Sequence, residues 1–270
     1  MSDLALTHIG GPTLLIEVAG WRILTDPTFD PPGHRYHFGW GTASTKTTGP
    51  AATTADIGPV DAVLLTHDHH ADNLDRTGRD VLRQADIVLT TTSGARRLGG
   101  SARGLANWET TTLSRAGRPS LGVTATPCRH GPPLSRPIVG DVVGFAITSA
   151  AQPDGALWIS GDTVLFDGLE EVVERVRVDV AVLHLGGVRF PISGPLRYTM
   201  TADDGLELCR RLQPRLAVPV HYEGWSHFKD PATALHTPGG APDSFDYTVL
   251  PIGERTSIGR LGTEPSAGGG

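Results

Sequence analysis

Cysteine is nearly absent. Cys128 and Cys209 are the only two in 270 residues, too few for a disulfide scaffold. Basic charge is not in excess either. The formal net charge is −6, so the chain carries no electrostatic footprint for nucleic acid, although a metal centre can supply positive charge locally to a phosphodiester. No apolar run approaches the length of a membrane span. Met1-Ser2-Asp3-Leu4-Ala5-Leu6 lacks the basic-then-apolar pattern of a signal peptide. These absences point to a cytoplasmic protein with a small-molecule substrate, no nucleic-acid partner and no membrane-spanning segment. They leave the oligomeric state open.

What is present describes an ordinary globular chain, with 39% hydrophobic and 19% charged residues. Glycine at 34 and proline at 21 imply many turns between short elements. The length allows one large core. No repeat and no domain boundary is evident, so residues 1–258 read as a single domain and the Gly-rich stretch 259–270 as a disordered tail.

Hydrophobic periodicity supplies the elements. Residues 13–18 and 21–25, joined by Ala19-Gly20, read as a β-hairpin. Residues 27–56 read as a long loop whose cluster of His34, Tyr36, His37, Phe38 and Trp40 suits a substrate-facing flap. Strands are expected at 60–65, 86–90, 121–127, 142–148, 156–160, 179–185, 217–220 and near 247–250. Helices are expected from about 74 to 84, over 168–177, where Leu169, Val172, Val173 and Val176 share one face, and from 201 to 212, where Thr201 and Asp204 resemble a capping box.

The chemistry concentrates in Thr66-His67-Asp68-His69-His70-Ala71-Asp72-Asn73-Leu74-Asp75, between a predicted strand and a predicted helix. Buried imidazoles and carboxylates need partners, and neutral imidazole with carboxylate is a usual ligand set for a divalent cation such as Zn²⁺. The plainer interpretation is a solvated polar loop. Three further strand ends weigh against it: His130, Asp162 and His221 each follow an apolar run, and short strands side by side in sheets bring their ends to one edge. Each also has an ordinary explanation, as a turn histidine, a turn-stabilising aspartate and a core histidine among aromatics. His184 sits within an apolar strand and reads as a core histidine. His8, His227 and His236 carry no particular signal.

Taken together, these motifs resemble those of the metallo-β-lactamase-fold hydrolases. The resemblance is strongest to the branch containing ascorbate-6-phosphate lactonases and phospholipase D-type N-acylethanolamine enzymes. It spans most of 6–253: Ile9-Gly10-Gly11-Pro12-Thr13 before an apolar strand, Arg22-Ile23-Leu24-Thr25-Asp26-Pro27, the motif at 66–75, His130, Ser160-Gly161-Asp162-Thr163, and Pro219-Val220-His221-Tyr222. It implies an αββα sandwich, two mixed β-sheets face to face with helices outside and the site at one edge. The family's His-x-His-x-Asp-His motif is altered here. One register pairs His67 with His69 but places Ala71 and Asp72 at the Asp and last His. The other, with one inserted residue, pairs His67 with His70 and places Asp72 and Asn73 there, so that Asp72-Asn73-Leu74-Asp75 matches the branch better. His69 is then an alternative ligand or a supporting residue.

The resemblance implies a first metal site of His67, His70 and His130, and a second of Asp72 and His221 with Asp162 bridging. Asn73 offers a neutral amide where an imidazole is expected. The second site is therefore expected to be weaker, differently populated or selective for a harder metal such as Mn²⁺. The implied chemistry is attack by metal-activated water on an ester, lactone, amide or phosphodiester, with Asp72 orienting the nucleophile and Tyr222 or His184 protonating the leaving group. The loop at 34–40, with Trp225 and His227, could wall the pocket, and Arg129 could hold a substrate phosphate or carboxylate. Zn in one or two copies is the expected cofactor, with Mn or Fe as alternatives. Two other functions stay open: a non-catalytic metal-binding member of the fold, and an iron-dependent redox enzyme.

Overall fold

The computed structural model describes residues 4–150, 154–230 and 245–259. The chain opens with β1 (Leu4–Gly10), β2 (Thr13–Val18) and β3 (Trp21–Thr25), then β4 (Arg35–Gly39) and β5 (Thr42–Thr45). Next come α1 (Thr54–Ile57), β6 (Ala62–Leu64), α2 (Arg76–Gln84), β7 (Ile87–Thr91), α3 (Thr92–Leu98), β8 (Ala102–Leu105), β9 (Thr110–Leu113) and β10 (Leu121–Pro127). They are followed by α4 (Arg136–Val139), β11 (Val143–Ser149), β12 (Ala156–Ile159), α5 (Glu170–Arg175), β13 (Val178–His184), α6 (Ala202–Leu212), β14 (Leu216–Val220), β15 (Asp246–Tyr247) and β16 (Arg255–Ile258).

Two seven-stranded sheets result, ordered β16-β1-β2-β3-β6-β7-β8 and β15-β14-β13-β12-β11-β10-β9. Each has three antiparallel pairings on one side and three parallel on the other. The central strands are buried at nearly every position because both faces of each sheet are covered there. Alternation assigns the faces. Leu14, Ile16 and Leu64 of the first sheet meet Phe145, Val180, Val182 and Val218 of the second in the central core. Their neighbours Leu15, Val63 and Leu65 turn outward under α2, and Ala181 and Leu183 turn outward under α5 and α6. This is the expected αββα sandwich. Among the described residues, no helix is long and apolar enough to cross a membrane.

Several local features follow the sequence. Ala19 and Gly20 both take positive φ, 51° and 81°, as a tight turn between twisted strands requires. Thr201 and Asp204 form the capping box of α6. Asp75 caps α2 by accepting from the Gly78 N–H at 2.8 Å. A Cβ on Gly78 would lie 1.9 Å from the Pro27 carbonyl oxygen, so that helix start packs directly on the end of the first hairpin.

Other features differ. The long loop at 27–56 contains the β4–β5 hairpin and α1, because Gly39-Trp40-Gly41 supplies positive φ at three successive residues and reverses the chain. The strand expected near 247–250 is reduced to Asp246–Tyr247. Strands β8, β9 and β16 are short and largely polar, which is why periodicity did not mark them. Residues 260–270 of the expected tail, and His236, lie outside the described residues.

Candidate metal centre

Strands β12, β13 and β14 run parallel. Strand β10 is antiparallel to β11, which is antiparallel to β12, so β10 points the same way. Their C-terminal ends therefore share one edge, and they deliver His130, Asp162 and His221 there. Strand β6 of the opposite sheet contributes the loop from Thr66 to Asp75, and the Val143 N–H donates to the Thr66 carbonyl at 3.1 Å, tying the two sheets together beside the site.

Three imidazoles converge first. His70 Nδ1 lies 3.3 Å from His67 Nε2 and 3.2 Å from His130 Nε2. The outer nitrogens are tethered: His67 Nδ1 to Thr66 Oγ1 at 3.1 Å and His130 Nδ1 to the Tyr198 carbonyl at 2.8 Å. A carbonyl can only accept, so His130 donates from Nδ1 and turns Nε2 to the centre. Burial, with His130 beside it, pushes His70 down to about 3, and burial likewise holds His67 well below its ordinary value. Both are neutral at pH 7, the form that binds a cation.

A second cluster lies alongside. His221 Nε2 sits 3.6 Å from Asp72 Oδ2 and 3.4 Å from Asp162 Oδ2, and His227 Nε2 sits 2.9 Å from Asp72 Oδ2. Burial opposes charge on His221, yet the Asp162 and Asp72 carboxylates raise it to about 9. Burial also works to raise Asp72, but contacts with His221 and His227 hold it well below the carboxylate range. Asp162 acts electrostatically on both clusters, favouring positive charge at His67 and His221 alike. Such a pocket is matched to cations.

The polar atoms say the same. Asp72 Oδ1, His221 Nε2 and His227 Nε2 are buried without a well-aligned hydrogen-bond partner. Each such atom ordinarily costs about 1–3 kcal/mol, and a shared divalent ion satisfies all three. Ligand atoms of His67, His70 and His130, and separately of Asp72, His221 and His227, lie within 4.8 Å of one another. The donor set fits the metal that the motif implies.

The remaining predicted residues are placed elsewhere. His69 is turned away from the centre, against Asp68 at 3.6 Å and Arg97 at 3.4 Å, on the side of the loop where Arg97 grips the buried Asp68. His184 is wholly buried behind Asp162, its Nδ1 2.9 Å from Asp162 Oδ1; it supports that carboxylate and does not line the cavity over the centre. Tyr222 packs in the outer core beneath the second sheet, 5.8 Å from the His8 ring. The tyrosine in the cavity wall is Tyr198, which the sequence did not single out. Arg129 stacks on Phe166 at 4.9 Å and borders a separate, larger cleft that reaches only His130 among the cluster residues.

That cavity is lined by Phe38, His70, Asp72, His130, Asp162, Val188, Phe190 and Tyr198, among others. The free space above the imidazoles is ≈ 20 Å³, room for about one water molecule. Phe38, from the β4–β5 hairpin, closes it, 5.2 Å from the His70 ring and 5.6 Å from the His227 ring. The flap expected at 34–40 is thus a hairpin whose aromatic side chain sits over the centre. His227, which the sequence offered only as a pocket-wall residue, joins the second cluster instead. Its only signal is its position six residues after His221, on the loop leaving β14.

Comparison with known proteins follows the same outline. The profile of a family described as "Beta-lactamase superfamily domain" matches residues 21–222. A protein named UPF0173 metal-dependent hydrolase, from Pyrobaculum neutrophilum, is 28% identical over 217 residues, covering 79% of this chain and 81% of its own. Among solved structures, an isothiocyanate hydrolase from Delia radicum gut bacteria superposes with a TM-score of 0.76 at 21% identity, covering 94% of this chain and 98% of that one. A possible metal-dependent hydrolase from Veillonella parvula gives 0.77 at 19% identity, covering 94% and 99%.

Proposed function

This chain belongs to the beta-lactamase superfamily domain family, and from that membership we propose that it is a metal-dependent hydrolase acting on an ester, lactone or similarly electrophilic carbon of a small, largely apolar molecule. One observation carries the reading: His67 Nε2 and His130 Nε2 both lie within 3.3 Å of His70 Nδ1, beneath an aromatic-walled cavity. In this reading His67, His70 and His130 hold one divalent ion, and Asp72 and His221, with Asp162 between the clusters, hold a second. Neutral imidazole suits Zn²⁺, with Mn²⁺ or iron as alternatives.

A divalent cation bound there supplies Lewis acidity and an activated water at neutral pH. The chain's own groups do the rest. Asp72 lines the cavity with Oδ1 unpartnered, placed to orient the attacking water and accept its proton. Tyr198 is the phenolic wall residue in place to meet a leaving group, a role that Tyr222 and His184 are too deeply packed to perform. Phe38, Val188 and Phe190 exclude water and favour an apolar substrate. The β4–β5 hairpin must lift to admit one.

Among the described residues, no Lys or Arg lines the cavity. A phosphodiester or a phosphorylated lactone would find no side-chain cation there, which favours uncharged substrates. The isothiocyanate hydrolase with the similar fold is said to act on another small electrophilic carbon, and that supports the same preference.

The test is elemental analysis together with a panel of p-nitrophenyl esters, lactones, isothiocyanates and a phosphodiester, assayed before and after chelation. Metal-dependent turnover of an uncharged substrate is expected, with His67→Ala losing both metal and at least about 10³-fold in rate, since the whole centre depends on it. Full metal content and rate in that variant would overturn the assignment. Bound iron with visible absorbance and no hydrolysis would point to redox chemistry instead.

A further inference from the structure

At position 73 the chain carries an amide where the family's motif has an imidazole. Asn73 is wholly buried and faces the site: its Nδ2 lies 3.5 Å from Asp162 Oδ1 and 3.5 Å from Thr66 Oγ1, and its Oδ1 has no partner. An amide oxygen is a weak ligand for a borderline-soft ion. On that count alone the second metal site would lack one of its nitrogens.

We propose that His227 supplies the missing imidazole, so that the second site is Asp72, His221 and His227, with the ligand moved from the β6 loop to the loop after β14. The proposal rests on the reading of the centre as a holder of divalent cations. It goes beyond the family's own pattern, since the match to that family ends at residue 222, before His227 is reached.

Four observations carry it. His227 is 3% exposed, unusual for a histidine on a connecting loop. Its Nε2 lies 2.9 Å from Asp72 Oδ2 yet is not aligned for a hydrogen bond with it. An imidazole aimed at a cation shared with that carboxylate has this geometry. Its Nδ1 is hydrogen-bonded to Ser44 Oγ, and Ser44 Oγ lies 3.2 Å from Ser226 Oγ. A hydroxyl that donates onward to Ser226 accepts from Nδ1–H, which leaves Nε2 free to coordinate. Finally, the ring is clamped, stacked on Phe190 at 5.4 Å and 20°, with Phe228 at 4.6 Å and Phe38 edge-on at 5.6 Å. A ligand so held loses little entropy on binding.

The arrangement also joins the metal site to the flap. Ser44 belongs to β5, and Phe38 to β4. The hairpin that covers the cavity therefore orients the second-site histidine, and lifting it loosens one ligand.

The experiment is metal stoichiometry on the full chain, with Zn²⁺ and Mn²⁺ titrated separately and bound metal counted by elemental analysis. Co²⁺ absorbance serves as a coordination readout independent of turnover. The wild type is expected to bind two equivalents. His227→Ala should bind one, with the second equivalent weakened at least about 100-fold. The double variant Asn73→His/His227→Ala should regain two, because the new imidazole enters beside Asp162. Two equivalents of unchanged affinity in His227→Ala overturn the proposal, as does a wild type that binds only one. His67→Ala separates this from the functional reading: it should lose the other equivalent, and its keeping both would sink that reading instead. Should His227→Ala unfold by circular dichroism, Ser44→Ala decides. It removes only the Nδ1 tether and should weaken the second equivalent about tenfold; unchanged affinity there refutes the assignment.

Discussion

Asp26 stands behind both halves of the centre, and its protonation state can be tested by two substitutions. The residue ends β3 at a positive φ of 33° and is wholly buried. Its Oδ1 accepts from the Thr66 N–H at 2.7 Å and from the Thr66 hydroxyl at 3.0 Å, and Oδ2 lies 3.8 Å from His184 Nε2. Burial, joined by the nearby Asp162 charge, holds the Asp26 carboxyl well above the carboxylate range despite those hydrogen bonds. Burial also lowers His184. Asp26 is then a neutral acid, and the imidazole carries one proton, on the nitrogen facing Asp162. Asp26→Asn is nearly isosteric with that acid. Its oxygen keeps both Thr66 bonds, and its amide N–H faces the His184 lone pair. The expected cost is under about 1 kcal/mol. Asp26→Ala strands two buried donors at about 1–3 kcal/mol each, hence about 2–6 kcal/mol in all. It also frees Thr66, whose hydroxyl holds His67 Nδ1, so first-site metal affinity should fall about 10–100-fold. Urea denaturation of the chelated protein and Zn²⁺ competition against a chromophoric chelator measure the two effects. If Asn proves as damaging as Ala, Asp26 works as a charge and the neutral-acid reasoning is refuted.

Two further outcomes follow from the electrostatics. In chelated protein, stability should peak near pH 6.5. Below that, the unfolded chain takes up protons that His70, pushed down to about 3, and the lowered His67 refuse, so stability falls with pH at about 1.4 kcal/mol per unit for each net proton. Above it, folded His221, raised to about 9, keeps a proton that the unfolded chain has lost, so stability falls again between 6.5 and 9. Saturating Zn²⁺ should flatten that alkaline limb, and a monotonic profile in chelator would contradict the assigned shifts. Lys46 and Asp75 form an ion pair at 3.1 Å with side chains 3% and 0% exposed, joining the end of the flap to the cap of α2. Lys46→Ala leaves Asp75 buried without its cation and should cost about 3–5 kcal/mol; a loss under about 1 kcal/mol by urea denaturation would show that the pair is not anchoring the hairpin.

Much of this was legible in the chain alone because it depends on local pattern. Apolar runs become strands wherever they fall, and the Thr201–Asp204 capping box starts a helix through its own side chains. The strand ends carrying His67, His130, Asp162 and His221 were therefore recognisable, and the order of the motifs pointed to the family. Neighbour relations were not recoverable in this way. Whether His69 or His70 faces inward depends on Arg97, 28 residues from His69, which grips the buried Asp68 and lies against the His69 ring. His184 reads as an ordinary core residue until Asp162 and Asp26 are seen on either side of it. Tyr198 and Tyr222 are told apart only by the fold, which puts one in the cavity wall and packs the other beneath a sheet. His227 had no motif of its own; Ser44, Asp72 and Phe190 give it direction, and they come from three separate parts of the chain. Residue types and their spacing determined that a metal-binding centre of this kind could form here. Long-range packing decided which nitrogens point into it, because side-chain orientation is set by contacts between segments distant in sequence.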